Sequence, residues 1–310
     1  MSYNRILTAQ TEQLFKASDA GNAAAVSALL LDPETDRNWH CPQAVGGSFH
    51  SHRDGILLSD QHARNGYEQY GATPLLAAIM NGHAQVVQLL LDAGAELGEL
   101  KTPVRLSRWC GGWCWQQSSS QRGSPGQDRN SPLHEAAFRG QPGILRAVLN
   151  KVQENPEQVT TLVNAQNQFG NAPLHNAARS ASPECVELLL AAGATVDLTN
   201  VASCTVIIGT SARRTEGLIN GSTALHHACY SDTPNLRVVE LLVAAGAEMD
   251  ARDEQGGTAL MAAAKKNQAD VISFLRSKGA DTSVQNAFGE DAAHFAQLRD
   301  HAQSVQSLAA

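Results

Sequence analysis

The chain has 310 residues, and its six cysteines and 11 histidines are the side chains best suited to chemistry. Some lie close enough in sequence to suggest a metal. Cys110 and Cys114 stand in C-x3-C spacing, and an upstream stretch carries His40, Cys41, His50, His52 and His62. A tetrahedral zinc site uses Cys and His ligands of this kind. The spacing matches no finger pattern, and no second cysteine pair follows, so ordinary loop residues stand as the other reading. A second group recurs instead of clustering. His134, His175 and His226 each follow a leucine near the start of an alanine-rich segment. Recurrence at a fixed place argues for a structural role rather than catalysis.

Nothing else in the chain reads as a reaction centre. There is no nucleophile elbow, phosphate-binding glycine loop, dinucleotide fingerprint, HExxH or carboxylate pair. The net charge of −7 argues against wholesale nucleic-acid binding. No apolar run approaches the roughly 20 residues of a membrane-spanning helix. The amino terminus, MSYNRILTAQTEQLFKASDAG, lacks the apolar stretch of a secretory signal. Unevenly spaced cysteines do not form a disulfide framework, so the expected compartment is the reducing cytoplasm or nucleus.

The elements that would hold these residues are repeated. In register stand Thr73-Pro74-Leu75-Leu76-Ala77-Ala78, Ser131-Pro132-Leu133-His134-Glu135-Ala136-Ala137 and Ala172-Pro173-Leu174-His175-Asn176-Ala177-Ala178. Thr223-Ala224-Leu225-His226-His227-Ala228 and Thr258-Ala259-Leu260-Met261-Ala262-Ala263 continue the series. Each precedes an apolar helix pattern that ends in glycine, as in AQVVQLLLDAGA, PECVELLLAAGA and LRVVELLVAAGA. Proline suits the first turn of a helix, and a hydroxyl before it can cap. Paired alanines let helices approach closely, and the closing glycines stop each second helix in the left-handed conformation. With aromatics at only 5%, many thin helix contacts suit the composition better than one deep core.

These segments resemble the ankyrin repeat, with its T-P-L-H-x-A-A motif and V-x-x-L-L-x-x-G-A helix. The steps from Thr223 to Thr258 and on to Asp291 match its period of about 33 residues. The predicted fold is all-α, a solenoid of stacked helix-turn-helix units with long loop insertions. Seven units are expected, at about 10–32, 71–97, 129–164, 170–198, 221–250, 256–283 and 289–308, the first and last degenerate. Insertions fall at about 33–66, 97–128 and 199–219, and 151–161 reads as a longer second helix with a loop. Trp109, Trp113 and Trp115 crowd the second insertion, either folding it back on the array or offering an aromatic contact to a partner. The polar last unit looks like a terminal cap and argues for a complete array.

The resemblance implies that the recurring histidines tie each turn to its neighbour. It also implies a non-catalytic module (adaptor, inhibitor or scaffold) that binds a protein or peptide along a concave groove. Carried over residue by residue, the partner-facing positions are Tyr70, Met80, Asn81, Phe138, Arg139, Phe169, Arg179, Tyr230, Lys265 and Lys266. This row is more aromatic and basic than the acidic chain as a whole, so the expected partner is an acidic or mixed segment. No cofactor, nucleic acid or membrane is expected, and the chain is expected to act as a monomer. The competing reading is a metal-dependent regulator or enzyme using the His/Cys insertions 33–66 and 97–128.

Overall fold

A computed structural model describes residues 9–32, 35–38, 73–97, 130–167, 169–200 and 221–309. His40, Cys41, His50, His52, His62, Tyr70, Cys110, Cys114 and the three clustered tryptophans lie outside the described residues. So do most of the three insertions.

Every regular element among the described residues is an α-helix. In order they are α1 (Ala9–Asp19), α2 (Ala23–Leu30), α3 (Pro74–Met80), α4 (Ala84–Asp92) and α5 (Pro132–Phe138). Then come α6 (Pro142–Gln153), α7 (Pro156–Val163), α8 (Pro173–Arg179), α9 (Pro183–Ala191) and α10 (Ala224–Cys229). The series closes with α11 (Leu236–Ala244), α12 (Ala259–Lys265), α13 (Ala269–Ser277), α14 (Ala292–Leu298) and α15 (Ala302–Ala309). Helix-turn-helix units stacked in sequence order make a solenoid. The chain forms two compact units, Met1–Pro132 and Leu133–Ala310.

In the first unit α1 packs on α2 and α3, and α4 packs on α2 and α3. Leu14, Val26, Leu75, Ile79, Val87 and Leu90 fill the space between them, all at 1% exposure or less. Burial of each such side chain contributes about 2 kcal/mol. Asn81 ties the second helix pair to the first, its amide donating to the Asp19 carbonyl at 3.1 Å and carboxylate at 2.8 Å. His83 adds a bond from Nε2 to the same carbonyl at 2.9 Å. That ring lies so close to Gly21 that a Cβ there would come within 2.5 Å of it, at a φ of +71°.

In the second unit the first helices α8, α10, α12 and α14 pack in sequence as one layer. The second helices α6, α9, α11, α13 and α15 form the other. One apolar stripe per helix faces the stack: Val238, Val239 and Leu242 of α11 are buried while Arg237 lies at the surface. The glycines that close the second helices behave as expected, with φ of 84° at Gly94, 89° at Gly193, 93° at Gly246 and 98° at Gly279. One segment departs from the sequence reading. The 151–161 stretch is not a longer second helix with a loop: α6 stops at Gln153, and Pro156 opens a separate helix, α7.

Helix starts divide by the fourth residue of the motif. Where it is not histidine, the first residue caps: Thr73 Oγ1 accepts from Leu76 N at 3.2 Å, and Asp291 Oδ1 from His294 N at 2.8 Å. Where it is His175 or His226, the imidazole reaches back. His175 Nδ1 accepts from Ala172 N at 3.1 Å, and His226 Nδ1 from Thr223 N at 3.2 Å. Ala172 has no hydroxyl to cap with, so the ring's contact there stands in its place.

A ladder on the far side of the helices repeats as regularly. The side-chain oxygens of Asn164, Asp197 and Asp250 accept from the backbone N–H of Thr195, Glu248 and Asp281 at 2.7, 3.0 and 3.0 Å. In the first unit Asn38 does the same for Glu96 at 2.9 Å. Arg37 donates to the Ala93 carbonyl beside it. Residues 35–38, at the start of the first insertion, therefore hold the stack together.

Candidate functional site

The candidate surface of the second unit is set by the ends of the first helices and the tips of the hairpins that precede them. Each hairpin is braced by one side chain. Asn167 Oδ1 accepts from Phe169 N and Asn171 N at 2.9 and 3.0 Å. Asn286 Oδ1 accepts from Phe288 N and Glu290 N, both at 2.9 Å. Asp253 holds Gln255 N and Gly257 N in the same way. These bonds hold the tips rigidly and leave Phe169 and Phe288 in solvent, at 43% and 66% exposure. Phe138, at the end of α5, is 40% exposed. Large apolar side chains this open are interface candidates.

The cations of the row differ in how they are held. Arg139 Nε lies 2.8 Å from Glu135 Oε1, and that carboxylate is buried. Arg179 lies at the surface; its carbonyl accepts from Ser231 Oγ at 3.0 Å, which fixes the backbone beneath it. Lys265 places Nζ 4.2 Å from the centre of the Phe295 ring. Lys266 places Nζ 4.4 Å from the Tyr230 ring and 2.5 Å from the exposed Asp232 carboxylate. Such cation–π contacts hold the ammonium groups in place without neutralising them.

Two sequence expectations in the first unit change in the structure. Met80 is not exposed: at 4% it joins Leu76 against Phe15, because the preceding helix pair covers it. Asn81 is taken up by the Asp19 contacts and by a bond to the Ala77 carbonyl at 3.1 Å, so its visible role is to fasten two pairs. Neither residue is available as a free contact in this arrangement. Tyr70 and the candidate metal ligands lie outside the described residues. Among the described residues no group of three or more His, Cys, Asp or Glu is placed to hold a metal ion.

The recurring histidines are buried and tie neighbours together. His134 Nε2 donates to the Asn171 carbonyl at 2.8 Å, His175 Nε2 to Ser222 at 3.2 Å, and His226 Nε2 to Gly257 at 3.1 Å. Burial lowers the pKa of both His134 and His175 to about 4, against the partly opposing effect of these carbonyl contacts. Neutral rings suit the geometry, since for His175 and His226 Nδ1 must accept while Nε2 donates. Burial also pushes the Cys229 thiol up to about 12 and raises that of Cys185. Neither thiol is a nucleophile at neutral pH.

Sequence reasoning missed the pairing of Lys266 with Tyr230 and of Lys265 with Phe295. It also missed the Asn/Asp ladder, although the recurrence of Asn or Asp after each closing glycine was there to be read. His227 was passed over as well. It is fully buried, and neither ring nitrogen has a hydrogen-bond partner.

Comparison with known proteins places these observations. A family model described as ankyrin repeats (3 copies) matches residues 114–200 and 200–286, and a single ankyrin-repeat model matches 70–101. NF-kappa-B inhibitor zeta of Homo sapiens is 27% identical over 307 residues, covering 92% of this chain and 38% of that protein. The transient receptor potential cation channel subfamily A member 1 homolog of Caenorhabditis elegans is 26% identical over 214 residues. That match covers 64% of this chain and 15% of the channel. The chain thus spans well under two thirds of the length of these curated relatives. Among solved structures, the ankyrin repeat domain of Bcl-3 aligns with a TM-score of 0.54 at 23% identity. The alignment covers 96% of this chain and 98% of that one, a likeness of fold.

Proposed function

This chain belongs to the ankyrin-repeat family, and we propose that it is a non-catalytic protein-interaction module whose second unit takes an acidic segment of another protein. The observation that carries the reading is the make-up of one row. Arg139, Arg179, Lys265 and Lys266 stand beside Phe138, Phe169 and Tyr230, on a chain of net charge −7. Aromatic and arginine side chains anchor interfaces, and a basic strip on an acidic protein selects partners by charge. Rigid hairpins keep the ordering cost of binding low. The module acts as a monomer in the cytoplasm or nucleus, a reading supported by the free, buried thiols of Cys185 and Cys229. No described helix is long and apolar enough to cross a membrane.

The test is affinity capture with the full chain and with a Phe138→Ala/Phe169→Ala/Arg179→Glu variant. Arg139 is left intact, because Arg139→Glu would set a second carboxylate against the buried Glu135. Partners lost by the variant, and lost from the wild type at high salt, are the expected result. A variant that keeps its helical content and still captures every partner rejects this face.

A further inference from the structure

The joint between α8 and α10 differs from the other joints of the second unit in what it buries. His227 of α10 is fully buried, with no hydrogen-bond partner at either ring nitrogen. Its ring stands nearly perpendicular to that of His175 of α8, 77° between planes and 5.0 Å between centres. The equivalent residue one unit earlier, Asn176, donates to the His134 carbonyl across the preceding joint at 3.2 Å. In the next unit the place is filled by Ala262, next to Met261. His227 therefore replaces a joining bond, or a small apolar side chain, with a buried imidazole that joins nothing. A buried polar group without a partner weakens the contact that encloses it.

Its surroundings leave no room for charge. Helix α10 packs against α8, α11 and α12. From α8 it is faced by His175 and Arg179, and on its own helix by His226; all three act against a proton on His227, after burial itself. Cys229 of α10 is neutral. On α11 the charged groups are Arg237 and Glu240, paired with each other at 3.4 Å at the surface. On α12 the charged group is Lys265, which lies over Phe295. Asp253 acts on His226, beyond the joint. His175 has both nitrogens engaged as a neutral ring, so it cannot take up a proton without losing the bond from Ala172.

We propose that the joint between α8 and α10 is an acid-released hinge, with His227 as its trigger: proton uptake by His227 and His175 parts the two helices while the joint between α12 and α14 stays closed. The closed joint excludes both protons, and the open joint binds both. Each ring exposed on opening favours the open form by about tenfold between pH 7 and pH 5.5, so the pair together approaches about a hundredfold.

Hydrogen exchange of the full chain, read by mass spectrometry as protection factors at pH 7 and pH 5.5, tests this. Protection over 173–179 and 224–229 falls by about a hundredfold, and over 259–265 and 292–298 by less than about threefold. In His227→Asn the acid loss at the hinge shrinks to about tenfold. Protection at pH 7 is kept there, because asparagine can donate to the His175 carbonyl as Asn176 does to that of His134. His227→Ala, a second variant in case the first packs poorly, shows the same reduced acid loss whatever its protection at pH 7. An acid loss that is uniform over all four segments, or equal in wild type and both variants, overturns the proposal.

Discussion

His175 is bonded to Ser222, a residue of the following repeat: its Nε2 donates to the Ser222 carbonyl at 3.2 Å while its Nδ1 accepts from the N–H of Ala172. One neutral ring thus completes the start of its own helix and fastens the next unit. His226 repeats the arrangement with Thr223 and Gly257. The array is held at these places by side chains that must remain uncharged.

Acid should therefore weaken the second unit. His134 and His175 have folded-state pKa values lowered to about 4, from an ordinary value of 6.5. The unfolded chain binds more protons between these values. Stability is thus fully present above about pH 6.5 and declines as pH falls toward 4, by up to about 3 kcal/mol per histidine. Urea unfolding followed by circular dichroism across this range checks the direction. A midpoint that holds steady or rises on acidification contradicts it.

Removing one of these rings should cost more than its apolar volume suggests. His226→Ala leaves the Thr223 N–H and the Gly257 carbonyl without this partner, and the expected loss is about 2–4 kcal/mol. Met261 occupies the same motif position with no such bond, and Thr258 Oγ1 caps Met261 N there at 3.4 Å. Met261→Leu should therefore change stability by less than about 1.5 kcal/mol. Denaturant midpoints of the two variants, compared with wild type, decide whether the bonds or the packing dominate.

Backbone conformation at the turns between paired helices gives two substitutions of opposite sign. Ala181 sits at a φ of +55°, where other units place Gly82 or Gly140. Ala181→Gly should relieve that strain and raise stability by about 1 kcal/mol. Gly21→Ala should lower it by several times as much, because the new Cβ meets the His83 ring in a left-handed turn. Thermal melts of both variants test the pair, and a shift in the same direction for both would count against it.

The two ion pairs of the candidate row should respond differently to mutation. Arg139 meets a Glu135 carboxylate that is only 2% exposed, whereas Lys266 meets an Asp232 that is 89% exposed. Arg139→Ala withdraws a cation from a buried carboxylate and should cost about 1–3 kcal/mol. Asp232→Ala should cost less than about 0.5 kcal/mol and should raise affinity for an acidic partner by removing a competing anion. Unfolding free energies, with binding titrations once a partner is captured, measure both.

The fold was legible because its determinants are local and repeated. Leu75, Leu133, Leu174, Leu225 and Leu260 each stand beside alanines at helical spacing, and a glycine ends each second helix. Neither feature needs a distant partner to be recognised. The row of candidate contacts was legible only as positions. Met80 occupies the same motif place as Phe138 and Arg179, yet it is buried because α1 brings Phe15 against it. Arg139 and Arg179 are the same residue type in adjacent units, yet Glu135 holds one while the other lies at the surface.

By itself the sequence determined that helices form in pairs, where they start and stop, and that one face of each is apolar, because these follow from side-chain type at short spacing. Only the tertiary structure decided which polar groups find partners across a joint. Asn176 and His227 fill the same motif position, but one reaches a carbonyl of the preceding helix and the other reaches nothing. That outcome depends on distances between helices, which no single stretch of chain contains.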